Sequence, residues 1–184
     1  MSELTLKENR VGSIAYKLTV DGNVEEIITP EYAIEYLHGA ENLIYGLEEA
    51  LDGKKVGDSF AVTIAPEKGY GAYDDEDVDI VPIEEFGMDV SGIQVGEELE
   101  LWNEEDEELF EATVLEVTDE HIKLDFNHPL AGKTLHYEIQ VVDVRNATQE
   151  EIDMGVPESI MDEMLEALDD DDVDDEYYSI NNPN

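Results

Sequence analysis

Apolar and polar residues alternate along this chain with a period that changes from segment to segment. Ile14, Tyr16, Leu18 and Val20 alternate with Ser13, Ala15, Lys17 and Thr19, the two-residue period of a half-buried strand. Asp21-Gly22 follows and predicts a hairpin turn, with Val24 to Ile28 as the returning strand and Thr29-Pro30 as its end. After Asn42, the residues Leu43, Ile44, Leu47, Ala50 and Leu51 recur at helical spacing. Asn42 is the expected N-cap, and Gly53 fits the left-handed position that closes a helix. A helix so short is unstable alone, so it must lie on a sheet. Phe60, Val62 and Ile64 then restore the strand period until Pro66 stops it.

The loop after Pro66 holds Tyr70 between Gly69 and Gly71. Two glycines free the backbone to present one aromatic ring at a fixed angle, and the ring's hydroxyl can donate to a ligand carbonyl. From Ile80 to about Asn127 the texture becomes that of a small β-rich unit. Val81-Pro82 breaks the chain, Ile83 to Phe86 suits one helical turn, and strands are expected over Glu98 to Trp102, Leu109 to Val117 and His121 to Phe126. Leu135, Tyr137, Ile139 and Val141 then alternate as a strand that needs the first sheet to join, so the β-rich unit is inserted rather than appended. Thr148-Gln149-Glu150-Glu151 matches a capping box, and Ile160, Met161, Met164, Leu165 and Leu168 mark one face of a second helix. The stretch from Asp169 to Glu176 is almost wholly acidic and is expected to be disordered.

Charge narrows the choice of partners. Of 184 residues, 50 are acidic and 9 basic, a formal net charge of -41. Such a field repels nucleic acid and anionic membrane surfaces, so neither is an expected partner. The acidity suits either a repulsive, solubilising surface or a salty cytoplasm in which screening removes the self-repulsion. Cysteine is absent, which excludes disulfides and thiolate metal sites. No apolar stretch approaches the roughly 20 residues of a membrane span, and the first eleven residues lack a signal-like apolar core, so a cytoplasmic protein is expected. The runs Asp75-Glu76-Asp77-Val78-Asp79 and Asp170-Asp171-Asp172-Val173-Asp174 begin like calcium loops. Ile80 and Asp175 stand where the sixth-position glycine is required, so solvated charge is the better reading and no metal is expected.

Several motifs taken together resemble the FKBP-type peptidyl-prolyl isomerases, in particular the SlyD-like kind. They are VGSIAYKL, YLHG followed by NLIYGLEEAL, KVGDSFAVTIAPEKGYGAYDD, the VP segment at Val81, and NHPLAGKTLHYEIQVVDV. The resemblance covers about residues 11 to 147. It implies an α+β, mainly β fold in which an antiparallel sheet wraps a short helix. It further implies an isomerase domain over 1–79 and 128–147, interrupted by an insert-in-flap chaperone domain over 80–127, with an acidic tail over 148–184. The implied activity is isomerisation of Xaa-Pro bonds in unfolded or partly folded polypeptides, by a monomer without cofactor. The matching pocket positions are Tyr16, Leu43, Ile44, Leu47, Tyr70 and Tyr137, with Ile34 as a further apolar wall.

Two departures from the family pattern bear on the pocket and the tail. The family's aspartate after the first turn falls on Glu26 when counted from Gly22 and on Ile27 when counted from Pro30. Tyr137 stands where phenylalanine is usual, adding a hydroxyl to one wall. The tail lacks the His-rich run of many SlyD-like proteins, since the four histidines are His38, His121, His128 and His136, and nickel handling is not expected. Without the resemblance, the same residues read better as an aromatic-packed sheet than as a binding site. A binding module in which the insert captures exposed segments through Trp102, Leu109, Phe110 and Phe126, over an idle pocket, is the alternative function.

Overall fold

The computed structural model describes residues 4–86, 90, 92–103, 108–169 and 178–180. In chain order its elements are β1 (Arg10–Val20), β2 (Asn23–Ile28), β3 (Ile34–His38), α1 (Tyr45–Leu51) and β4 (Ser59–Ile64). There follow β5 (Val78–Pro82), β6 (Glu98–Asn103), β7 (Glu108–Val117), β8 (His121–Asp125), β9 (Leu135–Asn146), α2 (Gln149–Met154), α3 (Glu158–Asp169) and β10 (Tyr178–Ile180). The architecture is mainly antiparallel sheet with few helices. It divides into two compact units, one of residues 1–72 with 132–171 and the other of 73–131 with 172–184.

In the first unit the strand order is β2-β1-β9-β4, with β3 also paired to β1. The length of β1 makes this possible: its second half takes β2, its first half takes β3, and its other edge takes β9 throughout. The alternation read in the sequence buries Ile14, Leu18 and Val20 from β1 against Leu135, Ile139 and Val141 from β9. At Gly46, α1 runs so close to β4 that an added Cβ would lie 2.6 Å from Ile64 Cγ2. The helix is shorter than its apolar pattern. Ile44 is the N-cap without a side-chain bond, while Gly53 adopts φ +74 as expected.

Asn42, expected to cap that helix, bonds elsewhere. Its Oδ1 accepts from Leu37 N at 2.8 Å, and its Nδ2 donates to Ala40 O at 3.3 Å and to Gly155 O at 2.9 Å. Gly155 is the left-handed C-cap of α2, so this amide ties the end of α2 to the segment entering α1. The capping box at Thr148 and Glu151 forms as its spacing predicts. Glu151 is 0% exposed, and its carboxylate accepts two bonds from Arg145, one from Thr148 N and one from Glu158 N. Both helices are therefore anchored into the first unit. The N-terminal segment joins the core as well, with Leu6 buried and bonded through its backbone to Lys54 O and from Gly53 N.

The second unit is a sheet of order β10-β6-β7-β8-β5. Its core comprises Phe86, Val90, Ile93, Leu99, Leu101, Ala112, Val114, Ile122 and Leu124, with Phe110 and Phe126 packed against it. The strands expected there form within a residue of their predicted ends. β5 is an addition, and Pro82 is tolerated in it because β5 lies at the sheet edge. Tyr73 also belongs to this unit, donating to Asp125 Oδ2 at 2.8 Å. The unit therefore extends beyond the span marked by its texture in the sequence.

Candidate functional site

Tyr16 bonds to the Glu26 carboxylate and meets Tyr137, while Tyr70, from a separate loop of the first unit, feels the same charge. Tyr16 lies on β1 and Tyr137 on β9, where the register places Tyr137 opposite Leu18. Their rings meet edge to face, centroids 5.4 Å apart at 70°. That geometry suits aromatic quadrupoles and fixes both rings without a covalent link. The Tyr16 hydroxyl donates to Glu26 Oε2 at 2.7 Å. Tyr70 comes from the loop after β4, and its hydroxyl feels the charge of Glu26 and bears electrostatically on Tyr16 and Tyr137.

The Tyr70 loop is held by its backbone. Gly69 N and Gly71 N both donate to Pro66 O, at 2.9 and 2.8 Å, and Gly132 N donates to Gly71 O at 2.8 Å. Gly71 has φ +83, a conformation that side chains with a Cβ rarely adopt. Tyr70 remains 36% exposed on this pinned loop. Burial is the main reason its hydroxyl resists ionisation, with the charge of Glu26 second. Burial likewise pushes Tyr137 up to about 12, followed by Tyr70 and Glu26. Tyr16 is raised further, first by burial and then by its bond to Glu26. All three are neutral hydrogen-bonding groups at ordinary pH.

Of the apolar positions, Leu47 is 3% exposed on α1, while Leu43 and Ile44 are half-buried on the chain leading into that helix. Ile44 O accepts from Leu47 N and Glu48 N, which makes Ile44 the start of the helix that carries Leu47. Ile34 is half-buried at the start of β3, opposite Ile14 and so on the sheet face that carries Tyr16.

Strand register puts Glu26 and Ile27 on opposite faces of the sheet. β2 pairs Ile28 with Tyr16, Ile27 with Lys17 and Glu26 with Leu18, then slips one residue so that Val24 meets Thr19. Directly opposed residues share a face, so Glu26 lies with Leu18 and Tyr16, and Ile27 lies with Lys17. Ile27, expected as a possible pocket residue, is 60% exposed on the opposite face. There it joins Ala15, Tyr16, Lys17, Ala61 and Glu138 around a shallow groove of about 520 Å³. The bulge leaves Glu25 without a partner, a feature that a period-two pattern does not register.

Chemically, the tyrosine cluster offers aromatic rings, hydroxyl donors and one carboxylate. Among the described residues no group of three His, Cys, Asp or Glu side chains converges as metal ligands do. No helix among them is long and apolar enough to cross a membrane.

A family model for FKBP-type peptidyl-prolyl cis-trans isomerases matches residues 5–142. The SlyD isomerase of Vibrio cholerae is 40% identical over 83% of this chain and 75% of its own. That of Haemophilus influenzae is 39% identical over 83% and 79%, and that of Escherichia coli K12 is 37% identical over 83% and 76%. Among solved structures, Escherichia coli FkpA aligns with 80% of this chain and 45% of its own length, at 17% identity and a TM-score of 0.44. With a matching family model across most of the chain and relatives near 40% identity, this protein belongs to the FKBP-type peptidyl-prolyl cis-trans isomerase family and is SlyD-like within it.

Proposed function

We propose that the first unit isomerises Xaa-Pro bonds in unfolded or partly folded polypeptides, using Tyr16, Leu43, Ile44, Leu47, Tyr70 and Tyr137 as its pocket, with Glu26 at its polar corner and Ile34 as an outlying apolar wall. The observation that carries this reading is the meeting of Tyr16, Tyr137 and Tyr70 around Glu26 on the face that also buries Leu18. The barrier to rotation, about 18–20 kcal/mol, comes from resonance between the amide nitrogen and carbonyl. Water favours the planar form because it solvates a polarised carbonyl. Transfer of the bond to an apolar, aromatic pocket removes that solvation, and the twisted amide, which is less polar, loses less by the transfer. A barrier lowered by roughly 5 kcal/mol gives a gain of a few thousand-fold. Ring contacts hold the proline in orientation, and a tyrosine hydroxyl donates to a peptide carbonyl. No nucleophile, metal or redox group enters these steps.

Within the second unit, the insert over about 80–127 is proposed to hold exposed segments of the same clients. Leu109, Leu115, Ile80 and Val95 are exposed there, while Phe110 and Phe126 serve its core. The whole acts as a monomer in the cytoplasm under this reading, without cofactor, nucleic acid or membrane partner. The test is catalysis of a proline-limited refolding reaction across a salt series. Tyr70→Phe combined with Leu47→Ala should abolish the acceleration and leave suppression of aggregation intact. A wild-type chain without proline-specific acceleration at any salt would sink the enzyme reading and leave a holdase. Best activity at low salt would argue against adaptation to a salty cytoplasm.

A further inference from the structure

Glu26 carries more charge into the site than its bond to Tyr16 uses. Its Oε2 is held by the Tyr16 hydroxyl at 2.7 Å, and among the described residues Oε1 has no hydrogen-bond partner. The nearby lysines are engaged away from it. Lys17 pairs with Glu138 at 2.9 Å on the opposite sheet face, and Lys133 pairs with Asp21 at 2.8 Å beside the hairpin turn. Glu26 thus forms no ion pair among the described residues, is exposed, and shares its surroundings with Tyr16, Tyr70 and Tyr137. A carboxylate steadied by one hydroxyl is partly ordered already, which reduces the side-chain entropy lost when it meets a cation.

We propose that Glu26 is a specificity determinant, which makes this pocket favour prolyl segments carrying a lysine or arginine next to the proline. This rests on the pocket reading above and adds a substrate class to it. A cationic side chain there gains a pairing partner, an acidic one meets a like charge, and a neutral one is unaffected. The long-range field of a chain with net charge -41 acts in the same direction, but salt screens it beyond roughly 8 Å at physiological strength. Contact with Glu26 is screened less and is local to one residue.

The experiment measures isomerisation of short peptides by exchange NMR on the full chain, with Lys, Gln or Glu placed immediately before the proline in one series and after it in a second. The Lys peptide should exceed the Glu peptide in kcat/KM by on the order of five-fold in at least one series, the size that exposed charge contacts give. Glu26→Gln keeps an oxygen for Tyr16 and removes the charge, so the Lys-to-Glu ratio should collapse toward one. Glu26→Lys should invert it, while Glu138→Gln on the opposite face should leave it unchanged. A ratio near one in both wild-type series overturns the proposal, as does a full ratio in Glu26→Gln or an equal loss in Glu138→Gln. The Gln peptide separates this failure from a deeper one. Charge-blind catalysis sinks only the specificity, whereas no catalysis of the Gln peptide sinks the pocket reading and this inference with it.

Discussion

Arg145 grips Glu151, six residues along the chain, with Nη2 at 2.7 Å and Nη1 at 2.9 Å from its two carboxylate oxygens. The guanidinium is the main reason that this buried carboxyl is lowered to about 2. Removing one member of such a pair strands the other, so Arg145→Ala should lower stability by about 3 kcal/mol in urea denaturation at pH 7. A depressed carboxyl stabilises the fold above its unfolded value and loses that contribution as pH falls through its folded value. The gap between wild type and variant should accordingly be full above pH 4.5 and close as pH falls toward 2. A gap unchanged across that window would mean that the pair does not carry the stability.

The tyrosines act at the opposite end of the pH scale. Tyr137 ionises in the fold at about 12, against 10 for an unperturbed side chain. A raised phenol stabilises the fold below its unfolded value and loses that contribution as pH rises from about 10 through 12. Absorbance near 295 nm should therefore show tyrosines titrating late, with the late phase reduced in Tyr137→Phe. Late titration that persists undiminished in that variant and in Tyr16→Phe would refute the assignment to this cluster.

Packing at Gly46 leaves no space for a methyl group, because a Cβ would lie 2.6 Å from Ile64 Cγ2 and 3.1 Å from Lys68 O. Gly46→Ala should cost roughly 1–3 kcal/mol despite alanine's better helix propensity. Adding Ile64→Ala to that variant should cost less than Ile64→Ala alone, since it removes the clashing atom. Simple additivity of the two changes would show that α1 shifts to admit the methyl.

Asn42 makes a comparable link by hydrogen bonds rather than packing. Asn42→Ala leaves Leu37 N and Gly155 O without their partners and should cost about 2 kcal/mol. Asn42→Asp keeps the acceptor for Leu37 N and loses the donor to Gly155 O, so its loss should fall between wild type and Asn42→Ala. Faster amide exchange at the end of α2 in both variants would confirm the tie. Unchanged exchange there would show that α2 is held by Glu151 alone.

The strands with clean alternation, β1, β4 and β9, were legible because one face of each is buried and the other is not. β3 was not legible, because Tyr36, Leu37 and His38 are all buried and the run has no period. Leu6 was missed for a related reason: one apolar residue in a polar segment has no pattern, and its partners are backbone groups of the turn after α1. Asn42 is a favourable cap in the right place, but tertiary partners outbid the local one. At the proposed site, the tyrosines and Leu47 are singled out by motif order, whereas the face on which Glu26 and Ile27 lie depends on a strand register that the pattern does not carry.

That register hangs on one unpaired residue in the first hairpin. Were β2 to run without its bulge from the Val20–Asn23 pair, Ile27 would come opposite Tyr16 and Glu26 would turn outward. The polarity beside Tyr16 is thus written in the number of residues between turn and strand, not only in which residues they are. For a lineage of such proteins, a slip in hairpin length is a route from an acidic corner to an apolar one that leaves every side chain as it was.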